Sequence, residues 1–219
     1  MKFRKYLASE FGLPQLRPRV YIVGIREDEG LMPKLPRGPN FPAPPLSAFL
    51  EPAKGPRGSR PSSCQSSNSC KVLKKCLRKL RRRGINPRRQ TWAIDVDTTG
   101  FAALAPPLSF EGLVWSRSGS RAVQCRVHLA ADSSERFARA FCERTPTLIR
   151  RRPKGYWLTS HRRYMLPAEL FRLQGMDPAA ISPLPSVAGM GRMAGNSMAQ
   201  PVLVHIFEHL LPKLFPDAQ

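Results

Sequence analysis

The chain has 219 residues, a formal net charge of +21, 23 prolines and 15 glycines. This charge indicates a polyanionic partner, with nucleic acid the first candidate, and the proline and glycine content predicts a large share of loop. The five cysteines form no C-x-x-C pair, no 18-residue apolar window occurs, and the first residues do not resemble a signal peptide. We therefore expect no disulfide framework, no membrane span and no membrane partner.

The first predicted element is a strand over residues 19–26, with the sequence RVYIVGIR. Its β-branched and aromatic residues follow Pro18 and precede an acidic turn, which is typical of a buried strand. Because this strand begins so close to Met1, we expect its neighbours in a sheet to come later in the chain.

The middle of the chain is strongly basic. Between Glu51 and Asp95 there are 13 Lys and Arg and no acidic residue, and the proline-rich and serine-rich stretches before residue 71 are expected to be irregular. Residues 71–83 predict an amphipathic helix with one apolar stripe at positions 72, 73, 76, 77 and 80. Its opposite face is cationic, and we expect it to contact nucleic acid phosphates or to act as a nuclear import signal. The candidate DNA-binding residues on this helix are Lys74, Lys75, Arg78, Lys79, Arg81 and Arg82.

Shorter elements follow in chain order. The segment TWAIDVD predicts a strand, residues 133–142 a short helix, GYWLTS a strand, and residues 167–174 a helix with proline at its start. A last helix is predicted over residues 198–215. Its apolar positions recur at spacings of three and four, so they must pack on other residues; they are 202, 203, 206, 207, 210, 211 and 214.

Two histidines lie on this last helix. His205, Glu208 and His209 match the H-x-x-E-H pattern of zinc peptidases. A zinc site needs a third ligand from further along the chain, and Asp217 is the lone candidate. We interpret the pair as part of a partly exposed helix face and expect no metal, with a zinc peptidase as a weak alternative.

Three stretches, taken in order, resemble the C-terminal part of the DNA (cytosine-5) methyltransferase family. FGLPQLRPRVYIVGIR is similar to motif VIII, with Gln15, Arg17 and Arg19 at its three named positions. TPTLI followed by RRYMLPAELFRLQGMDP is similar to motif IX, and AGNSMAQPVLVHIF is similar to motif X, the Gly-Asn-Ser segment before the last helix. The order of the three, with a variable basic stretch between the first two, makes the resemblance specific.

The resemblance implies a fold and a reaction. The fold class is α/β: the C-terminal portion of a Rossmann-like methyltransferase sheet with a basic, partly irregular target recognition insert. The implied segments are 1–27 with motif VIII, 28–144 as the recognition region, and 145–219 with motifs IX and X. The implied reaction is methyl transfer from S-adenosylmethionine to C5 of a cytosine flipped out of DNA, in the nucleus of a eukaryote or otherwise in the cytoplasm.

The resemblance also implies roles for individual residues. Arg19 would hydrogen-bond O2 of the flipped cytosine, and Arg17 and Gln15 would support that substrate side. Arg163 would position motif IX against the recognition region and is a further DNA-binding candidate. Gly195, Asn196 and Ser197 would form a turn, made possible by Gly195, that lines the cofactor pocket.

Elements that the family keeps upstream of motif VIII are absent from this sequence: the Phe-x-Gly-x-Gly-Gly loop, the Pro-Cys pair with the nucleophile, and Glu-Asn-Val. None of the five cysteines follows a proline, so none can be assigned the thiolate attack. We expect the chain alone to be inactive, and to be part of a longer gene product or to pair with a second polypeptide that carries the N-terminal half. A non-enzymatic basic nucleic-acid-binding protein is the alternative from another class.

Overall fold

The structure is a computed structural model that describes residues 1–24, 34–52, 67–96, 127–128, 139–182 and 186–215. The chain divides into two compact units. The terminal unit contains residues 1–56, 143–155 and 164–219, and the middle unit contains residues 57–142 and 156–163. Residues up to 56 group with the chain ends, and residues 156–163 group with the middle. The functional division into catalytic and recognition segments stays a prediction.

A two-stranded antiparallel ribbon opens the terminal unit. Strand β1 (Lys2–Leu7) pairs with β3 (Pro18–Val23), with Lys2 opposite Val23 and Leu7 opposite Pro18. The expectation that the neighbours of this strand come later is therefore wrong. Strand β1 was not predicted, because the charges scattered through residues 2–7 obscure the alternation of apolar and polar residues that is typical of a strand.

The inner face of the ribbon packs in a core that also contains the last helix. Tyr6 and Tyr21 are buried on this face, with Phe11 against Tyr6 and ring centroids 5.7 Å apart. Helix α4 (Gln200–Leu214) adds Val202, Ile206 and Leu210 to the same cluster. The predicted last helix is thus confirmed, and one part of its apolar stripe packs as expected.

The other half of the apolar pattern is exposed. On the outer face of the ribbon, Phe3, Val20 and Ile22 are 74%, 59% and 65% exposed, so β3 is buried on one face and not on both. On α4, Phe207 and Leu211 are about half exposed, although both belong to the stripe that was predicted to pack.

The rest of the terminal unit consists of short elements. Strand β2 (Gln15–Leu16) pairs in parallel with β7 (Thr145–Pro146). Helix α2 (Pro167–Arg172) confirms the predicted helix with proline in its first turn. Helix α3 (Val187–Asn196) was not predicted and includes two of the three residues of the supposed Gly-Asn-Ser turn. Three 3-10 turns complete the described part of this unit, at Ala8–Glu10, Leu46–Phe49 and Pro178–Ala180.

The middle unit contains a small sheet and the basic helix. The sheet has the strand order β5-β6-β4-β8-β9; its members are β4 (Trp92–Ile94), β5 (Val127–His128), β6 (Arg139–Cys142), β8 (Trp157–Leu158) and β9 (Arg163–Tyr164). Strand β4 lies in the middle and pairs antiparallel with both β6 and β8. Helix α1 (Ser67–Arg82) confirms the predicted amphipathic helix and buries Val72, Leu73, Cys76 and Leu80.

One predicted element of this unit is wrong where it is described. The helix expected over 133–142 ends in residues that form strand β6, because Cys142 and Ala140 pair with Trp92 and Ile94 of the buried strand β4. Cross-strand pairing in a buried sheet outweighs the weak local preference for helix. Residues 133–138 lie outside the described residues, as do residues 31–33 and 53–66 of the proline-rich and serine-rich stretches. Residues 34–45 of the proline-rich stretch are described and are irregular as expected, with one β-bridge at Phe41.

The mixed α/β class is confirmed, whereas the Rossmann-like arrangement is not. In the described part of the chain the strands form small sheets in which most of the pairs with a known register are antiparallel. None of the described helices is both long enough and apolar enough to cross a membrane.

Candidate functional site

The three stretches of the resemblance meet inside the terminal unit. Gln15 of the first stretch is fully buried, and its Nε2 donates to the carbonyl of Leu173 in the second stretch at 3.3 Å. Gln174 is also fully buried, and its Nε2 donates to the carbonyl of Ala194 in the third stretch at 2.9 Å. Two glutamine side chains thus connect the three stretches. Gln15 and its partner Leu173 are more than 150 residues apart in the sequence.

Arg17 occupies the centre of this arrangement. It is only 3% exposed, and its Nη1 donates to the carbonyl of Leu148 at 2.7 Å. Its Nη2 donates to the carbonyl of Ser197 at 2.5 Å and to that of Gly195 at 3.4 Å. A buried guanidinium is stabilised only if its donors are paired, so Arg17 holds the end of α3 against the segment after β7.

Glu169 makes the corresponding connection for helix α2. Its buried carboxylate accepts from the backbone N–H of Leu166 at 2.7 Å, which caps the first turn of the helix, and from the N–H of Glu51 at 2.8 Å. Arg172, one turn later, forms an ion pair with Glu51 at 2.5 Å. The polar residues of the second stretch therefore fix the position of residues 50–52, a connection that sequence patterns did not reveal.

The proposed cofactor residues divide into two kinds. Gly195 is buried, and a Cβ there would lie 2.5 Å from the carbonyl carbon of Ile149 and 2.6 Å from the nitrogen of Arg150. Ser197 caps the end of α3, since its Oγ donates to the carbonyl of Ala194 at 2.8 Å. Asn196 is exposed, and of the three it alone presents its side chain to solvent. Gly195 thus serves close packing at a helix end and not the turn that was predicted.

Arg19 differs from Arg17 in its surroundings. It is half-buried, and its Nη1 donates to the carbonyl of the preceding residue, Pro18, at 2.9 Å. Among the described residues its guanidinium makes no other hydrogen bond. Whether Arg19, Arg17 and Gln15 meet a substrate stays a prediction, but the structure buries Gln15 and Arg17 inside the fold and leaves Arg19 partly accessible.

The cationic face of α1 also contains two kinds of residue. Lys74, Arg78, Arg81 and Arg82 are exposed, and their spacing of three and four places them along one side of the helix. Lys75 and Lys79 are half-buried and already have interactions within the chain. Arg163 is half-buried in β9 and likewise has an interaction of its own. The four exposed residues are thus the ones available to a partner.

The surroundings of Cys76 disfavour a role as nucleophile, and those of His205 and His209 disfavour a role as metal ligands. Burial raises the pKa of the Cys76 thiol to about 12, and only a thiolate is a nucleophile. The Nε2 of His205 lies 2.8 Å from the carbonyl of Arg37, and the Nε2 of His209 lies 2.7 Å from the Nζ of Lys213. The described residues contain no group of three potential metal-binding side chains.

Comparison with known proteins assigns the chain to a family. The family model of C-5 cytosine-specific DNA methylases matches residues 2–211, nearly the whole chain. The chain belongs to this family, and at family level it is a DNA cytosine methyltransferase. No curated protein and no solved structure matches it.

The family predicted from sequence is thus confirmed.

Sequence reasoning missed helix α3 and the connecting role of Gln174. A signal for α3 exists in the sequence: Ser186 precedes the helix and accepts the N–H of Gly189 at 3.0 Å, which is typical of an N-cap. The small residues Gly191, Ala194 and Gly195 then recur at helical spacing.

Proposed function

We propose that this chain is the C-terminal part of a DNA (cytosine-5) methyltransferase, with motifs VIII, IX and X, that uses S-adenosylmethionine and acts on a cytosine flipped out of the helix. The observation that supports this is the convergence of the three stretches through Gln15, Arg17 and Gln174. Buried side-chain hydrogen bonds between segments that are distant in the sequence form only when each segment supplies a matching donor or acceptor at the right place. Chance similarity in three short stretches does not account for such pairing.

Arg19 is the residue that we assign to the cytosine. Attack at C6 places negative charge on the ring, and a fixed cationic donor beside O2 stabilises that charge. Arg19 is suited to this role because it is partly accessible, with one donor bound to Pro18, and an arginine keeps its charge at any physiological pH. Arg17 and Gln15 act as positioning residues, since their side chains are buried and hold the strand that carries Arg19.

S-adenosylmethionine fits the described residues in part. Asn196 presents an amide that can hydrogen-bond the cofactor, whereas Gly195 and Ser197 hold the end of α3 in place. When bound, the cofactor supplies the methyl group. The chain's own contribution is to position Asn196, through the hydrogen bonds from Arg17 to the carbonyls on either side of it.

The nucleophile has to come from outside the residues of this sequence. Burial keeps Cys76 protonated, and no Pro-Cys or Glu-Asn-Val element occurs in the sequence. We propose that a catalytic half with these elements, on the same gene product or on a second polypeptide, covers the exposed apolar faces of the terminal unit. These faces contain Phe3, Val20 and Ile22 on the ribbon and Val204, Phe207, Leu211 and Phe215 on α4. Exposed apolar patches of this kind mark interaction surfaces.

DNA is the partner that we propose for the middle unit. The exposed residues Lys74, Arg78, Arg81 and Arg82 follow one side of α1, and a row of cations neutralises successive phosphates. Phosphate contacts of this kind position a protein on DNA without reading its sequence.

The test is a methyl transfer assay with labelled S-adenosylmethionine and duplex DNA. The purified chain should transfer no label, and the chain mixed with a polypeptide carrying Pro-Cys and Glu-Asn-Val should transfer it. In the completed enzyme, Arg19→Gln should lower kcat by about 100-fold to 1,000-fold, as loss of an oxyanion-type donor does. Arg4→Gln removes the same charge from the facing strand and serves as the control, with little effect.

Two outcomes would contradict the proposal. Label transfer by the purified chain alone would show that it contains its own nucleophile. Equal losses in Arg19→Gln and Arg4→Gln would show that Arg19 contributes only general charge.

A further inference from the structure

An open concavity of about 490 Å³ lies in the middle unit, directly after helix α1. It is lined by Arg81, Gly84, Ile85, Asn86, Pro87 and Arg88. Arg81 lies in the last turn of the helix, and Arg88 lies at the end of the turn that follows it. Two arginines therefore line one concavity, and the lining contains no acidic residue.

The backbone of this turn is held rigidly at the end of the helix. Gly84 has a φ of +71°, a left-handed conformation in which glycine is unstrained. Its N–H donates to the carbonyl of Arg81 at 2.9 Å, and the N–H of Ile85 donates to the carbonyl of Leu80 at 3.1 Å. This pair of hydrogen bonds is the Schellman motif, and it occupies carbonyls that would otherwise repel an anion at a helix C-terminus.

The second half of the turn is ordered by its own hydrogen bonds. The side-chain Oδ1 of Asn86 accepts the N–H of Arg88 at 3.0 Å, and the carbonyl of Asn86 accepts the N–H of Arg89 at 3.1 Å. Pro87, between them, is buried and has a fixed φ. The backbone of Arg88 is thus fixed beside the concavity before any ligand arrives, which lowers the entropy cost of binding.

No acidic residue is among those that line the concavity. Arg81 and Arg88 are exposed, and no acidic residue occurs in the sequence between Glu51 and Asp95. Guanidinium groups bind phosphate oxygens with paired N–H donors, which fixes the geometry as well as the charge. A phosphodiester group is the anion that matches both features in a protein that acts on DNA.

We propose that Arg81 and Arg88 together hold one backbone phosphate of DNA in this concavity, at the end of the row of cations on α1. The inference rests on the proposed DNA binding and adds a specific site to it. The row of cations on α1 attracts the DNA strand by charge. The concavity binds one phosphate and so fixes the position of the DNA strand along α1.

The experiment is a fluorescence anisotropy titration of the full chain with a labelled DNA duplex at several salt concentrations. Arg81→Gln combined with Arg88→Gln should weaken binding about tenfold, and should lower the slope of log K against log salt by about 1, the value for one phosphate. The control is Arg83→Gln combined with Arg89→Gln. It removes the same charge from two exposed neighbours that do not line the concavity, and its affinity should fall less than threefold.

Circular dichroism melting of each variant checks that the fold is intact, and all four side chains are exposed. If wild-type chain binds DNA and the two double variants lose affinity equally, the phosphate site is wrong while DNA binding stands. If wild-type chain binds no duplex, the phosphate site and the DNA-binding part of the proposed function are both overturned.

Discussion

Arg17 and Arg19 show how different two arginines of one short motif become once their surroundings are known. They are two positions apart on an extended segment, and yet Arg17 is buried with three carbonyl acceptors while Arg19 is half-buried with one. The sequence pattern Gln-x-Arg-x-Arg does not distinguish them. The difference arises because Arg17 points toward the end of α3, whose carbonyls need donors.

Replacement of Arg17 should destabilise the fold much more than replacement of Arg19. Arg17→Met keeps the length of the side chain but leaves the carbonyls of Leu148 and Ser197 without their donor, which should cost about 3 kcal/mol. Arg19→Met should change the free energy of unfolding by less than about 1 kcal/mol, since its one hydrogen bond is to the adjacent residue Pro18 and joins no distant segments. Urea denaturation of both variants measures the difference, and similar losses in the two would contradict the structural role of Arg17.

Cys76 should make the stability of the chain sensitive to alkaline pH. Burial raises the pKa of its thiol from 9.0 to about 12, so the folded state favours the neutral form. This contribution is fully present below pH 9 and is lost as the pH rises from 9 toward 12. Its size is on the order of 4 kcal/mol at most, from a shift of about three pH units.

The measurement is denaturation of wild type and of Cys76→Ala at pH 8 and at pH 10.5. Burial also raises the pKa values of Tyr6 and Tyr21, which adds an alkaline loss common to both proteins. The wild type should lose more stability than the variant over this range. Equal losses would mean that the Cys76 thiol ionises as easily in the folded chain as in the unfolded one.

At the scale of elements, helix α3 is the clearest case of tertiary structure overriding local preference. Its ten residues include three glycines, each of which disfavours helix by about 1 kcal/mol relative to alanine. The helix forms because Gly191 and Gly195, one turn apart, let it approach the backbone of residues 149–153. A side chain at either position would separate the helix from that backbone.

Gly191→Ala should therefore destabilise the chain although alanine is the better helix former. The new Cβ would overlap the carbonyl oxygen of Pro153, and we expect a loss of about 3 kcal/mol or more. The control is Ala188→Gly at a half-buried position of the same helix, which should cost about 1 kcal/mol from propensity. Thermal melting compares them, and a melting temperature for Gly191→Ala at or above that of Ala188→Gly would contradict the close approach.

At the scale of the whole molecule, the terminal unit has a buried face and an exposed apolar face on the same ribbon. Tyr6 and Tyr21 pack inward, whereas Phe3, Val20 and Ile22 face outward. The same division occurs on α4, where Ile206 is buried and Phe207 is half exposed. An apolar surface on both elements is expected of a unit that associates with further protein, in line with the proposed catalytic half.

Polar substitutions on the outer face should separate association from folding. Val20→Thr combined with Ile22→Thr keeps β-branched residues in β3 and should change the free energy of unfolding by less than about 1 kcal/mol. It should reduce self-association of the isolated chain and weaken binding of the completing half. Tyr21→Thr, on the inner face, should cost about 3 kcal/mol or more. Light scattering and denaturation measure the two effects, and a large loss of stability in the outer variant would show that this face is part of the core.

Much of the organisation could be predicted from sequence because it depends on local patterns. The apolar spacing of residues 72–80 is enough to place α1, and Pro167 at the start of α2 and the β-branched run over 19–23 act in the same way. The family could be predicted as well, since three short stretches in the correct order are specific. Strand β1 and helix α3 could not, because charged residues on both faces of the first obscure its alternation and the second contains glycines that act through packing.

The amino-acid sequence by itself determined that this chain is a basic α/β protein of the cytosine methylase family with an amphipathic cationic helix, because composition, periodicity and motif order are properties of the chain alone. Only the tertiary structure decided which residues of each motif are buried connectors and which face solvent. Gln15, Arg17 and Gln174 are connectors, and Arg19, Asn196 and Arg81 are not. The physical reason is that burial and hydrogen-bond partners depend on segments that are far apart in sequence and meet only in the fold.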